Sequence, residues 1–178
     1  MADRGFSSAE NRRYLQRAGG HHIIGEKLRG DSAEATAALA RPGRYRTVAD
    51  NLRAKEVVID DGTMRDRFVI CHNPEQAERD RAVREALMAK VEALIADSDA
   101  LPAERREQIA GELRAKPALR KSLRVTAGSR VRIEKAAIRA EEHLDGKYLL
   151  RTNDHTLSAE DVALGYKQLL QVSMAGGT

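Results

Sequence analysis

An acidic residue near the start of the chain is the strongest candidate for metal chemistry. Asp3 lies in the segment Ala2–Phe6 (ADRGF), just ahead of a run that predicts a helix. A carboxylate at a strand-to-helix junction commonly binds Mg²⁺, because hard divalent cations prefer oxygen ligands. The competing interpretation is a cap on the approach to the helix, since a carboxylate also accepts hydrogen bonds from free N–H groups of a first turn. Local context alone favours the cap.

The other reactive side chains do not form a recognisable site. His21 and His22 are adjacent residues, and neighbours in an extended segment point to opposite faces; Cys71 and His72 have the same arrangement. Neither pair has the additional ligands at the spacing that a zinc site requires. The chain also lacks the motifs of a phosphate-binding loop and of a nucleophile elbow.

Positive charge is concentrated in one segment of the chain. The 178 residues include 31 Lys and Arg against 27 Asp and Glu, which gives a net charge of +4. Seven cations and no carboxylate lie between residues 114 and 132, and they are Arg114, Lys116, Arg120, Lys121, Arg124, Arg130 and Arg132. A cluster of one sign is typical of a surface that contacts a nucleic-acid backbone, and the alternative is a solvated face of a helix and loop.

The composition indicates a soluble protein with an aliphatic core. Aromatic residues make up only 3% of the chain, and no apolar run approaches the ~20 residues of a membrane span. The first residues lack a secretory signal, and the single cysteine, Cys71, excludes an internal disulfide framework and fits a reducing compartment. We therefore expect a cytoplasmic protein without a membrane partner.

The predicted elements begin as a layered α/β unit and continue into a hairpin and helices. Before residue 41 we expect a helix that Ser7 or Ser8 caps and that ends at about Arg17, a strand over 22–27, and an Ala-rich helix that Asp31 or Ser32 caps. Strands over 51–59 and 64–72 flank the turn Asp61-Gly62, which is a strong hairpin signal.

Helices dominate the second half of the predicted chain. A helical pair over 74–96 and 102–116 follows the hairpin, packed through a stripe formed by Val83, Leu87, Val91 and Leu94. A strand over 130–133, a helix over 134–144, a strand over 147–153 and a last helix capped by Ser158 complete the chain.

Two groups of motifs resemble a bacterial insertion-sequence transposase. DRGFSS at 3–8, YL at 14–15 and HIIGEK at 22–27 are similar to its central part. LDGKYLLRTND at 144–154, LSAEDVA at 157–163 and YKQLLQV at 166–172 are similar to its later part. The family is the DDE transposases with a ribonuclease H-like core, in the subgroup marked by a Tyr-Arg-Glu-Lys signature helix.

This resemblance implies an α/β to α+β fold that covers nearly the whole chain. Segments 1–28 and 125–178 would belong to a partial ribonuclease H-like catalytic core. Segment 29–124 would be an insertion containing the β-hairpin 51–72 and the helices 74–96 and 102–116.

The resemblance also implies a two-metal mechanism of which this chain retains little. In the family, two Asp and one Glu hold two Mg²⁺ or Mn²⁺ ions that activate water or a DNA 3′-hydroxyl for attack on a phosphodiester. Asp3 matches the second Asp, whereas Ser173 stands in the position of the Glu. The first Asp is expected upstream of this sequence, Leu169 replaces the signature Arg, and the final Lys would fall beyond Thr178. We therefore expect no catalysis by this chain alone and no tightly bound metal.

The expected partner is DNA at transposon ends. The resemblance adds Arg4, Tyr166 and Lys167 to the cationic segment as contacts near the former active site. Strands around Ile23 and Leu149 are expected to lack neighbours on one side, which favours a homo-oligomer or association with an intact transposase. The alternative function is a non-enzymatic helical interaction module, such as an inhibitor that hetero-oligomerises with a transposase. A non-functional gene product and an unrelated metal enzyme are further hypotheses.

Overall fold

The computed structural model describes residues 14, 19–29, 32–60 and 65–175, with side chains described as far as residue 168. The strands are β1 (Ile23–Glu26), β2 (Arg46–Ala49), β3 (Leu52–Asp60), β4 (Arg65–His72), β5 (Leu123–Thr126), β6 (Arg130–Ile133) and β7 (Lys147–Thr152). The helices are α1 (Ala33–Ala40), α2 (Pro74–Ile95), α3 (Ala103–Arg114), α4 (Pro117–Arg120), α5 (Lys135–Glu142) and α6 (Ala159–Ala175).

The chain forms two compact units. The first, the sheet unit, comprises Met1–Ala77 and Gly146–Thr178, and the second, the helical unit, comprises Glu78–Asp145. These boundaries differ from the division expected at 28 and 124. The hairpin 51–72, assigned above to an insertion, pairs with β7 in the same sheet as the segments assigned to the core.

The sheet unit contains a five-stranded sheet in the order β1-β7-β4-β3-β2, in which all adjacent strands are antiparallel. The fold is therefore mixed α and β, as the coarse prediction states. The prediction that the strand at Leu149 lacks a neighbour on one side is wrong. This strand, β7, has a neighbour on both sides: Leu149 pairs with Ile70 in β4 and with Glu26 in β1. Among the described strands, β1 and β2 form the two edges of this sheet.

Local sequence signals place several elements correctly. The Ser32 hydroxyl caps α1 by accepting a hydrogen bond from the Ala35 N–H at 3.1 Å. Ser158 and Asp161 cap α6 reciprocally, because the Asp161 N–H donates to the Ser158 hydroxyl while the Ser158 N–H donates to the Asp161 carboxylate. Strands β2 and β5, each of four residues, are not in the sequence-based prediction.

The two faces of the sheet bury two separate apolar clusters. Helix α6 covers one face with Val162, Ala163 and Tyr166, packed against side chains such as Val69 and Leu150. Helix α1 covers the other face, whose cluster is Ala35, Ala38, Val57, Phe68, Ile70 and Leu149. Val57 in β3 is the register partner of Phe68 in β4, and both side chains belong to this second cluster, since period-two alternation puts alternate side chains on one side of a strand.

A buried ion cluster crosses three strands of the sheet. Arg151 in β7 is 1% exposed and donates hydrogen bonds to Glu26 in β1, at 3.3 Å, and to Asp66 in β4. Its guanidinium also lies 5.0 Å from the centroid of the Phe68 ring. Each of the two carboxylates therefore has a hydrogen-bonded cation as its partner. Such pairing is needed because a buried charge is costly unless it is paired and hydrogen-bonded.

The helical unit has a core built from α2, α3, α4 and the β5–β6 hairpin. The predicted stripe on α2 is wrong in part, because Val83 is 69% exposed and Leu94 is 57% exposed. The buried side chains of α2 are Met88 and Val91, with Leu87 and Ile95 beside them. At 100° per residue, Leu94 and Val83 lie roughly 75° and 95° around the helix, respectively, from the centre of that buried face.

Candidate nucleic-acid interface

The predicted catalytic residues fall outside the part of the chain that the structure describes. Asp3 and Arg4 are among the undescribed residues, and Ser173 lies in α6 at a position whose side chain is not described. The donor set itself does not fit two divalent ions, because Asp3 brings one carboxylate and Ser173 a neutral hydroxyl. Among the described residues, no group of three or more His, Cys, Asp and Glu side chains could hold a metal ion.

Tyr166, predicted from the sequence as a signature residue and a DNA contact, lies in the core of the sheet unit. It is 2% exposed, and its ring stacks on Tyr148 with centroids 6.0 Å apart and an interplanar angle of 26°. The neighbouring Lys167 is half-buried on α6. The ring of Tyr166 therefore contributes to packing between α6 and the sheet in this conformation, not to an exposed surface.

The cationic segment folds into the helical unit, where its second half forms a hairpin with one apolar and one basic face. In the β5–β6 register, Val125 pairs with Val131, and both side chains belong to the apolar cluster of the unit. The alternate pairs are Arg124 with Arg132 and Thr126 with Arg130. Period-two alternation thus places three arginines on the face opposite the core.

Two carboxylates from outside the cationic segment pair with the three arginines of this basic face. Asp99 binds Arg132 through two hydrogen bonds, one of 3.1 Å from Nη1 to Oδ1 and a shorter one from Nη2 to Oδ2. Its Oδ1 also lies 3.9 Å from Arg130, and Glu134 lies 3.9 Å from Arg124. The hydrogen bond from Arg132 lowers the pKa of Asp99, because it stabilises the ionised carboxylate.

Four cations of the segment remain available to a partner. Arg114 ends α3, Lys116 and Lys121 flank α4, and Arg120 is the last residue of α4. All four side chains are exposed, and none forms a salt bridge with a described residue. We call these four residues the cationic patch.

The cationic patch has the chemistry of a phosphate-binding surface. Arginine presents a planar fork that can bind a phosphate through two hydrogen bonds, and lysine binds it as a point charge. The eight residues 114–121 contain four unneutralised cations, so this short segment carries a charge as large as the net charge of +4 of the whole chain. The sequence identifies the cationic segment. It cannot show that Asp99 and Glu134 form ion pairs with three of its seven cations, because these two acidic residues lie outside the segment.

Comparisons with protein-family models, with curated proteins and with solved structures yield no match to this chain. Within the described part of the chain, no helix combines the length and the apolar character needed to cross a membrane.

Proposed function

We propose that this chain is part of a DDE-type DNA transposase that binds DNA through the cationic patch and does not catalyse transposition by itself. Two observations support the proposal: the transposase-like strings in the sequence and the exposed, unneutralised cations at 114–121. A protein that acts on transposon ends in bacterial DNA would be cytoplasmic.

The fold part of the proposal assigns β1, β7 and α6 to a partial ribonuclease H-like core. The matched strings at 22–27, 144–154 and 166–172 fall on these three elements. This assignment rests on the resemblance alone. The described sheet, which is antiparallel throughout, establishes only a mixed α and β fold.

The cationic patch carries the DNA-binding part of the proposal, and its strength can be estimated. A phosphate contact contributes about −0.9 to the slope of log K against log salt. Four contacts would give a slope of about −3.6, which corresponds to a ~150-fold loss of affinity between 50 and 200 mM salt. Binding of this kind is sequence-tolerant, because phosphate contacts position a protein on DNA without reading the bases.

Fluorescence anisotropy with a labelled DNA duplex tests this directly. The test variant carries Arg114→Gln, Lys116→Gln, Arg120→Gln and Lys121→Gln. The matched control carries Lys90→Gln, Arg105→Gln, Lys135→Gln and Arg139→Gln, which removes the same charge from exposed positions of the same unit. We expect the test variant to lose most of the salt dependence and the control to retain it.

Two results would contradict the proposal. Wild-type binding that does not change between 50 and 200 mM salt would exclude phosphate contacts. Equal losses in the two variants would show that net charge, and not the cationic patch, drives association.

A second candidate function, the helical interaction module, is favoured by the exposed face of α2. Val83 and Leu94 are large apolar side chains that lie eleven residues apart, and both are exposed. Eleven residues at 100° each bring two positions to within about 20° of the same face. The partner we propose for this face is an intact transposase, as in an inhibitor that forms mixed oligomers.

Co-purification with an intact transposase distinguishes this second function. Val83→Ser with Leu94→Ser is expected to abolish the complex without unfolding the helical unit, because neither side chain lies in its core. Retention of the complex by this variant would exclude α2 as the docking face.

A further inference from the structure

A cavity of about 550 Å³ lies within the sheet unit, beside the edge strand β2. Its wall is formed by residues around β2, by the start of α6 at Ser158, and by the charged side chains Arg44, Arg46, Lys55, Glu56, Arg67 and Glu160. Four of those six charges are positive, so the wall has an excess of cations.

Two of the four cations are already engaged within the protein. Arg67 is buried, and it donates to the backbone oxygens of Asp154 and Leu157 at 2.9 and 2.6 Å and to the Glu56 carboxylate at 2.8 Å. Lys55 donates to the Arg41 carbonyl oxygen at 2.7 Å, and its ammonium lies 5.3 Å from the centroid of the Tyr45 ring. The Arg67–Glu56 pair also removes one of the two carboxylates from the electrostatic balance.

The other two cations, Arg44 and Arg46, are free to bind a ligand. Both side chains are exposed, both line the cavity, and neither has a salt bridge or hydrogen bond with a described residue. They are two residues apart where the chain enters β2, and positions at this spacing share a side of an extended backbone. Two arginines that line one cavity match the charge of a phosphate, and the guanidinium fork matches the geometry of its oxygens.

We propose that this cavity is a phosphate-binding site in which Arg44 and Arg46 hold the phosphate oxygens. The phosphate can belong to a small molecule or to a nucleic-acid backbone that follows the β2 edge. This inference does not depend on the transposase assignment or on the cationic patch, because it concerns different residues in the other unit.

Titration calorimetry with inorganic phosphate and anisotropy with a DNA duplex separate the two sources. The test variant is Arg44→Gln with Arg46→Gln, and the control is Arg53→Gln with Arg65→Gln, which removes the same charge from exposed strand positions outside the cavity. We expect the test variant to weaken phosphate binding about tenfold, as loss of charge-assisted hydrogen bonds predicts, and the control to leave it unchanged.

The two probes have distinct expected outcomes. If the ligand is a backbone phosphate, the test variant also reduces the salt slope of DNA binding by about 1.8, the value for two contacts. If the ligand is a small phosphate compound, DNA binding is unchanged while phosphate binding is lost. Failure of the wild-type protein to bind either probe, or equal losses in test and control variants, would overturn the proposal. The cationic-patch variant is measured in parallel, so that a failure of the proposed DNA binding by that patch is distinguished from a failure of the phosphate site.

Discussion

Arg132 and Asp99 form a bidentate ion pair between strand β6 and the turn that follows α2. Nη1 and Nη2 of the guanidinium donate to Oδ1 and Oδ2 of the carboxylate, respectively. The same carboxylate lies 3.9 Å from Arg130, so one acidic residue holds two members of the basic face. The positive charge available on the helical unit is therefore set by a residue outside the cationic segment.

Replacing Asp99 is expected to strengthen DNA binding. Asp99→Asn frees Arg130 and Arg132, so the salt slope of DNA binding should steepen by up to about 1.8. Asp97→Asn is the matched control, because Asp97 is exposed and forms no salt bridge with a described residue. Since the pKa of Asp99 is lowered by Arg132, the pair persists as pH falls to the ordinary range for an aspartate and is lost only below it. Identical anisotropy curves for the two variants would contradict the prediction.

Removing Arg151 is expected to destabilise the sheet unit. Arg151→Leu leaves Asp66 and Glu26 buried without their shared cation, and breaking a buried pair typically costs about 3–5 kcal/mol. Urea unfolding monitored by circular dichroism measures the change in free energy. Arg53→Gln at an exposed position of β3 should change it by less than about 0.5 kcal/mol.

A double variant tests the origin of that loss. Adding Asp66→Asn to Arg151→Leu removes one of the two buried carboxylates, and it should recover part of the lost stability. A double variant that is less stable than Arg151→Leu would show that uncompensated charge on Asp66 does not cause the effect.

Gly146 and Gly111 are expected to respond oppositely to the same substitution. A Cβ at Gly146 would lie 2.3 Å from the Asn73 carbonyl oxygen and 2.7 Å from the Ala77 backbone nitrogen, and φ there is +62°. Gly146→Ala should therefore cost at least the ~1–3 kcal/mol of a strained backbone. Gly111 in α3 has nothing within 4 Å of such a Cβ, so Gly111→Ala should stabilise by about 0.5–1 kcal/mol. Equal changes in the two melting temperatures would refute this.

The thiol of Cys71 is expected to be inert in the folded protein. Burial raises its pKa from 9.0 to about 12, and a hydrogen bond with Tyr148 offsets only part of this effect. The unfolded thiol ionises first as pH rises past 9, so the contribution of this group to stability is present below pH 9 and decreases above it. A thiol-specific chromogenic reagent at pH 8 should react with the urea-unfolded chain and not with the native one. Rapid labelling of the native protein would disprove the assignment.

The chain alone is expected to show no nuclease activity. Under the proposed assignment, Asp3 is the single match to the three catalytic carboxylates, and Ser173 would bring no charge to the position of the Glu. Purified protein with Mg²⁺ or Mn²⁺ should leave supercoiled DNA intact. Turnover that disappears in Asp3→Ala would overturn this prediction.

The sequence by itself determined the features that depend on neighbours along the chain. Caps at Ser32 and Ser158, the helix start at Pro74 and the apolar face of the hairpin all follow from interactions within about four residues. The density of cations at 114–132 is equally a property of the sequence.

Tertiary structure decided which of those residues meet. Contacts of Arg151 with Asp66 and Glu26 join positions 85 and 125 residues apart, and Asp99 reaches Arg132 across 33 residues. No local sequence pattern predicts contacts between residues so far apart in the chain, because strand order and the packing of distant segments depend on the burial of side chains from the whole fold. For that reason the available cations of the cationic patch and the free arginines of the cavity became visible only once the chain was folded.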